Sequence, residues 1–200
     1  MKQTLFLDLF GVLLGKDIKP ILNYIYSFRN LDKNKIYEII FGEKYMQLER
    51  YEISLNEYCH YVELSINNPM FDIDQLVNYL QTFKLRELPM AKKLEQYKKQ
   101  ANFYILTNTT QAHINKLEKQ FSCLKQCQGI ITSDLAMAHK PSSKIFYYAC
   151  EVVDVEPNQS VFIDDTKINV LKAEKLGFNA HHYQSETELN IFLSKLFNLK

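Results

Sequence analysis

"TLFLDLFGVLLG", Thr4 to Gly15, decides how this chain is read. An apolar run leads into Asp8, crosses Leu9 and Phe10, and turns at Gly11. A carboxylate at the end of a buried strand is costly unless it has a partner or a task. Working outward, the same ending recurs. "NFYILTN" (Asn102 to Asn108), "GIITSD" (Gly129 to Asp134) and "SVFIDD" (Ser160 to Asp165) are strand-like runs that finish on polar groups, and "NAHHY" (Asn179 to Tyr183) is a weaker fifth. Between them, Thr110 to Lys119, Ser142 to Glu151 and Asn169 to Leu176 carry apolar residues at helical spacing. Strands alternating with helices predict an α/β fold, a Rossmann-like parallel sheet flanked by helices and buried on both faces. In "KLGFNA", Gly177 stands where a helix C-terminus would turn into the fifth strand.

Residues 17–89 break this rhythm. "IKPILNYIYSF", "KIYEIIFGEKYMQLE", "SLNEYCHYVEL" and "DIDQLVNYLQTF" are helical in period, with turns expected near Asn30 to Lys33, Arg50 to Ser54 and Asn67 to Phe71. The expected organisation is a core of residues 1–16 and 90–200, with a small all-helical cap of residues 17–89 inserted after the first strand. An insert there would project from the carboxyl edge of the sheet, where open α/β sheets bind ligands, and so act as a lid.

Composition narrows the field. Lys plus Arg total 24 against 23 Asp plus Glu, a formal charge of +1, which disfavours a nucleic-acid-binding surface. No apolar run approaches the ~20 residues of a membrane helix, and Met1 and Lys2 lead straight into a strand, so no secretory leader and no membrane partner are expected. A cytoplasmic protein is the expectation. Cys59, Cys123, Cys127 and Cys150 form no CxxC, and no His lies at zinc-site spacing from Cys123 and Cys127; they read as buried free thiols.

If the strands are parallel and adjacent, Asp8, Thr107, Asn108, Lys140 (from "HKPSSKIF"), Asp164 and Asp165 converge at one sheet edge. Three carboxylates need compensation, which a divalent cation together with Lys140 would supply. Mg²⁺ suits carboxylate and carbonyl oxygens and keeps waters free for a phosphate-bearing substrate.

In this order, "FLDLFGVLL", "YILTN", "HKPSSKIF" and "FIDDTKIN" resemble the haloacid-dehalogenase-like hydrolase superfamily, members with a small helical cap. "ERYEISLNEY" and "SDLAMAHKP" look most like the branch containing glucose-1-phosphate-type phosphatases. The resemblance implies a Mg²⁺-dependent phosphatase acting on a small phosphorylated metabolite, a sugar phosphate favoured. Asp8 would attack phosphorus to form an aspartyl-phosphate that water then hydrolyses. Asp8, Asp164, Asp165 and the backbone carbonyl of Phe10 would hold Mg²⁺. Thr107 and backbone N–H groups around Asn108 and Gly11 would hold the phosphoryl oxygens, and Lys140 would neutralise charge on nucleophile and phosphate. The expected assembly is a monomer or weak homodimer.

Phe10 departs from that pattern. The superfamily's phosphatases usually carry Asp two residues after the nucleophile, where it protonates the leaving alcohol and later activates water. A phenyl ring transfers no protons, and losing such help typically costs about 10² to 10⁴ in rate. Three readings follow: a phosphatase whose proton comes from a water, a cap residue or the substrate; a haloacid dehalogenase, in which an aromatic residue is found at this position but without a carboxylate pair like Asp164 and Asp165; and a non-catalytic protein that binds a phosphorylated ligand or a protein partner.

Each residue also has a plainer account. Asp8, Thr107, Asp164 and Asp165 could cap helices, and Lys140 could be an exposed loop lysine. Arg50 could reach a sugar or phosphate oxygen, or merely face solvent. Among His113, His139, His181 and His182, only His139, next to Lys140, is expected near the site. The insert's aromatic residues, Tyr24 and Tyr58 among them, recur at helical spacing and read as the core of the cap.

Overall fold

The computed structural model describes residues 2–28, 32–49, 52–82 and 84–198, with the side chains of residues 49 and 81 outside the description. It begins with β1 (Gln3–Leu7) and β2 (Leu14–Lys16), then five helices, α1 (Lys19–Tyr26), α2 (Lys33–Phe41), α3 (Glu43–Glu49), α4 (Leu55–Ile66) and α5 (Ile73–Gln81). β3 (Leu85–Glu87) and α6 (Pro89–Tyr97) follow, leading to β4 (Ala101–Thr107) and α7 (Gln111–Leu117). Next come β5 (Gly129–Thr132), α8 (Ser133–Ala136), α9 (Ser143–Val153), β6 (Ser160–Asp164), α10 (Lys167–Lys175), β7 (Asn179–His182) and α11 (Glu186–Leu196). The chain divides into two compact units, Met1–Gly15 with Arg86–Lys200, and Lys16–Leu85.

In the first unit the five expected strand runs pair into one sheet in the order β5-β4-β1-β6-β7, every neighbour parallel. A parallel sheet needs cover on both faces, and β1 shows why: Leu5, Phe6 and Leu7 are all fully buried although successive side chains point to opposite faces. On one face Phe6, Phe162 and Phe178 pack with Phe146 of α9, the last meeting Phe162 edge-on with ring centroids 5.1 Å apart. Gly177 has φ +97°, a left-handed turn between α10 and β7 that a side chain would strain.

The second unit is helical. Ile21 and Ile25 of α1, Ile36, Ile39 and Ile40 of α2, Tyr58, Val62 and Ile66 of α4, and Leu76 of α5 form its buried core. Three of its helices start on side-chain caps: Asp32 for α2, Ser54 for α4 and Asp72 for α5. The buried Tyr58 hydroxyl is paired, donating to the Ile40 carbonyl at 2.8 Å. Tyr24 joins this core at its edge and ties α1 to the start of α5, its hydroxyl donating to the Asp72 carbonyl and accepting from the Asp72 N–H.

Several boundaries differ from the periodicity. The run from Lys35 to Glu49 is two helices, because Gly42 takes an extended conformation (φ −80°, ψ −155°) between α2 and α3. β2 and β3, three residues each, pair as a separate two-stranded sheet where the chain leaves and re-enters the first unit; they are too short to carry a period. α11 lies beyond the periodic stretches, and its sequence signal is the cap: Ser185 stands three residues ahead of Glu188, and the Ser185 hydroxyl accepts from the Glu188 N–H. Among the described residues no helix is long and apolar enough to cross a membrane. All four cysteines are free thiols, but of the expected burial only Cys123 and Cys150 are fully enclosed, Cys59 and Cys127 being half-buried.

Candidate active site

The carboxyl edge of the parallel sheet gathers the groups that end its strands. Leu7 stands in register with Ile105 of β4 and Ile163 of β6, so the next residue, Asp8, lies beside the end of β6, its N–H donating to the Ile163 carbonyl at 2.9 Å. That places Asp8 against Asp164. Between them lies the ammonium of Lys140, 2.8 Å from Asp8 Oδ1 and 2.7 Å from Asp164 Oδ2. Asp8, Lys140 and Asp164 are all buried, so these are not solvated surface pairs. Breaking one by removing a partner would strand a buried charge.

Each member is oriented by further bonds. Asp8 Oδ1 also accepts from the Leu9 N–H at 2.7 Å. Asp164 Oδ1 accepts from the Thr166 N–H at 2.7 Å, and its Oδ2 from Asn169 Nδ2 at 3.1 Å. Lys140 is clamped through its backbone by the Asn108 side chain, which accepts from the Lys140 N–H at 2.7 Å and donates to the Lys140 carbonyl at 3.0 Å. Its ammonium also lies 5.4 Å from the centre of the Phe162 ring. Asp165 completes the group at the solvent-facing side: carboxylate oxygens of Asp8, Asp164 and Asp165 lie within 4.8 Å of one another.

Gly11 makes that approach possible. It has φ +91°, and a Cβ there would sit 2.1 Å from Asp165 Oδ2. Its N–H donates to the Leu14 carbonyl at 2.8 Å, so of the N–H groups around Gly11 this one is spent inside the turn, and what Gly11 itself supplies is room for a carboxylate.

The electrostatics follow from crowding. Burial, with the negative charges of Asp164 and Asp165, pushes the Asp8 carboxyl up to about 7 despite Lys140. Packing around the Asp165 carboxyl, reinforced by Asp164, pushes it to about 6, although the residue keeps a solvent-facing surface. Burial works against the Lys140 charge, but Asp164 and Asp8 outweigh it and hold its pKa above the ordinary value. Three carboxylates and one ammonium carry a formal excess of two negative charges, which fits a small divalent cation bound by oxygen ligands.

A family profile for haloacid dehalogenase-like hydrolases matches residues 14–181. The chain belongs to that family. Among curated relatives, the sesquiterpene phosphatase astK of Aspergillus oryzae is 24% identical over 176 residues, 88% of this chain and 86% of its own length. Among solved structures, the HAD family enzyme bt-2542 of Bacteroides thetaiotaomicron superposes with a TM-score of 0.62 at 22% identity, covering 96% of this chain and 98% of the other. The same enzyme has been solved in complex with magnesium and inorganic phosphate. The L-2-haloacid dehalogenase of Xanthobacter autotrophicus superposes with a TM-score of 0.63 at 13% identity, covering 98% and 83% of the two chains. At these identities the solved structures speak for the fold.

In this haloacid dehalogenase-like hydrolase the structure brings together Asp8, Lys140, Asp164 and Asp165, with Asn108 behind Lys140, while Thr107 ends β4 as a buried residue. The capping accounts do not hold for Asp8 or Thr107: α7 is capped by Thr110, and Asp8 precedes a turn. Lys140 is not an exposed loop residue. Arg50 lies outside the described residues. The histidines are placed differently from the expectation. His139 is half-buried with Nδ1 3.2 Å from the Lys140 carbonyl, and His182 lies 2.9 Å from the Asp165 carbonyl. His113 packs against Phe10, ring centroids 5.9 Å apart, in the turn that follows Asp8. Periodicity held no sign of this: one turn into α7, His113 reaches position 10 only because β1 and β4 are adjacent. Asn169 was also missed; five residues beyond Asp164, it faces back from the first turn of α10.

Proposed function

We propose that this chain is a Mg²⁺-dependent phosphatase of small phosphate monoesters, sugar phosphates favoured, working through an aspartyl-phosphate on Asp8. The observation that carries the reading is the buried Asp8–Lys140–Asp164 array with Asp165 beside it at the carboxyl edge of the sheet. A catalyst of phosphoryl transfer acts mainly by positioning and by offsetting charge, and this array does both. Asp8, Asp165, Asp164 and the Phe10 carbonyl would hold Mg²⁺, which, when bound, offsets charge on the phosphoryl oxygens. Asp8 attacks phosphorus in line with the departing alcohol. Lys140 balances Asp8 before the attack and the phosphoryl group after it. Asp164, engaged by three donors, fixes the Lys140 ammonium toward Asp8 and holds the turn that carries Asp165. Thr107 and N–H groups near Asn108 would receive the phosphoryl oxygens.

The relative named a sesquiterpene phosphatase and the magnesium and phosphate complex of a structural neighbour support phosphate ester over carbon–halogen chemistry. A second reading, binding without turnover, is favoured by Phe10 alone. The test is Mg²⁺-dependent phosphate release from sugar phosphates, an isoprenoid monophosphate and an aryl phosphate. Turnover should fall at least ~10³-fold in Asp8→Asn with the protein still folded. Wild-type protein that is silent on the whole panel, yet gains activity as Phe10→Asp, would replace this reading with the binding one.

A further inference from the structure

Three carboxylates gathered within 4.8 Å repel one another, so each must be held if the group is to stand ready for a cation. Asp8 and Asp164 are held by the Lys140 ammonium, 2.8 and 2.7 Å away. For Asp165, at the solvent-facing side, a tie comes from the edge strand. β6 and β7 pair in parallel up to the rung where Asp164 stands opposite His182, and the Tyr183 N–H donates to the Asp164 carbonyl at 2.9 Å. There β6 ends and the chain turns toward α10. The next carbonyl, that of Asp165, lies past the ladder and takes its bond from a side chain: His182 Nε2 is 2.9 Å from it. A carbonyl only accepts, so Nε2 carries the hydrogen, and it does so whether the ring is neutral or charged. Beyond Asp165, the Thr166 N–H donates to Asp164 Oδ1 at 2.7 Å. Asp165 is thus bracketed, its own carbonyl fixed from β7 and the residue after it fixed to Asp164.

We propose that His182 is a positioning residue for the metal site: by holding the Asp165 carbonyl it keeps the Asp165 carboxylate beside Asp8 and Asp164 against their repulsion, in place before Mg²⁺ binds. The inference rests on Asp165 being a Mg²⁺ ligand, as the proposed function has it, and does not depend on turnover. The bond is exposed, so water would replace the imidazole as donor at little cost to folding. Water does not fix where the turn sits, whereas a side chain rooted in a paired strand does. The Asp165 carboxylate also fits so closely against Gly11 that a Cβ there would collide with it, and a shift of the turn is therefore felt directly at the ligand oxygens.

The experiment measures Mg²⁺ binding by calorimetry, at one pH, to the whole chain as wild type, His182→Ala, His182→Gln, Asp165→Asn and the double variant Asp165→Asn with His182→Ala, and melts each in chelator. His182→Ala should bind Mg²⁺ about 10- to 100-fold more weakly, the usual loss when a partner behind a metal ligand is removed, and should melt in chelator as wild type does. His182→Gln, whose side-chain amide offers an Nε2–H in place of the ring's, should bind as wild type does, which separates the donor from the imidazole. Adding His182→Ala to Asp165→Asn should weaken binding no further, because the tie acts through that carboxylate. Unchanged Mg²⁺ affinity in His182→Ala, no recovery in His182→Gln, or an additive loss in the double variant would overturn the assignment and leave Asp165 as a ligand. A His182→Ala protein that melts well below wild type in chelator would overturn it too, making His182 a residue of general stability. Asp165→Asn that binds Mg²⁺ as tightly as wild type would remove Asp165 from the proposed metal ligands, and the inference with it.

Discussion

The two units are stabilised in opposite ways. In the helical unit, Lys16–Leu85, the described buried residues are aliphatic or aromatic, and polar groups serve as caps or as single bonds such as Tyr58 to Ile40. In the core unit, every buried charged side chain among the described residues sits at one edge of one sheet. Burying apolar area is favourable wherever it occurs, whereas burying Asp8 and Asp164 is costly unless Lys140 and hydrogen bonds compensate. The helical unit is therefore organised for packing. The core unit accepts a local penalty where charge is needed.

The sharpest way to break this contrast is Lys140→Met. It keeps the length of the side chain but leaves Asp8 and Asp164 buried without a counter-charge, and about 3–5 kcal/mol of stability should be lost near neutral pH. Urea unfolding measures it. The double variant Lys140→Met with Asp164→Asn should recover much of the loss, because one of the stranded charges is gone. A Lys140→Met protein as stable as wild type would mean that the site is solvated and that the contrast is false.

Much of this contrast was legible in the sequence, for a physical reason. Strand ends that carry Asp8, Asp164 and Asp165 violate the apolar pattern around them, and such violations are visible without coordinates. The sheet follows from strands and helices in alternation, so convergence of the strand ends follows as well. What the chain hides is lateral contact between elements. The Asn108 clamp on the Lys140 backbone, the return of Asn169 to Asp164 and the packing of His113 on Phe10 each join positions whose proximity depends on strand order and helix rotation. The sequence shows Gly11 as a turn residue; that its missing Cβ makes way for Asp165 depends on β1 lying beside β6. In the helical unit, Gly42 hid in plain view, since the apolar period runs across it while the backbone does not.

A smaller effect separates the units by pH. Asp8 has its folded pKa raised to about 7, against about 3.9 in an unfolded chain. A carboxyl shifted upward binds its proton more tightly when folded, so its contribution to stability is present below the unfolded value and is lost as pH rises through about 7. With divalent cation removed by a chelator, raising pH from 5.5 to 8 should cost about 2 kcal/mol through Asp8, or roughly 4–8 °C in Tm. With Mg²⁺ present the trend should reverse, because the cation binds the ionised form and its stabilisation grows with pH. Asp8→Asn should flatten the first curve. An unchanged slope in that variant would assign the pH dependence to other groups.

The smallest effect tests the other side of the comparison. Ser54 and Glu57 form a capping box at the start of α4: the Ser54 hydroxyl accepts from the Glu57 N–H at 3.2 Å, and Glu57 Oε2 accepts from the Ser54 N–H at 2.8 Å. Those bonds start the helix that carries Tyr58, Val62 and Ile66 into the core of the helical unit. Ser54→Ala removes the hydroxyl acceptor and should cost about 1 kcal/mol. The loss should appear as faster amide hydrogen exchange along α4. It should leave Mg²⁺ affinity and the pH dependence of the core unit where they were, because no buried charge depends on it. A change in Mg²⁺ affinity in Ser54→Ala would show that packing in the helices and charge at the sheet edge are energetically one system.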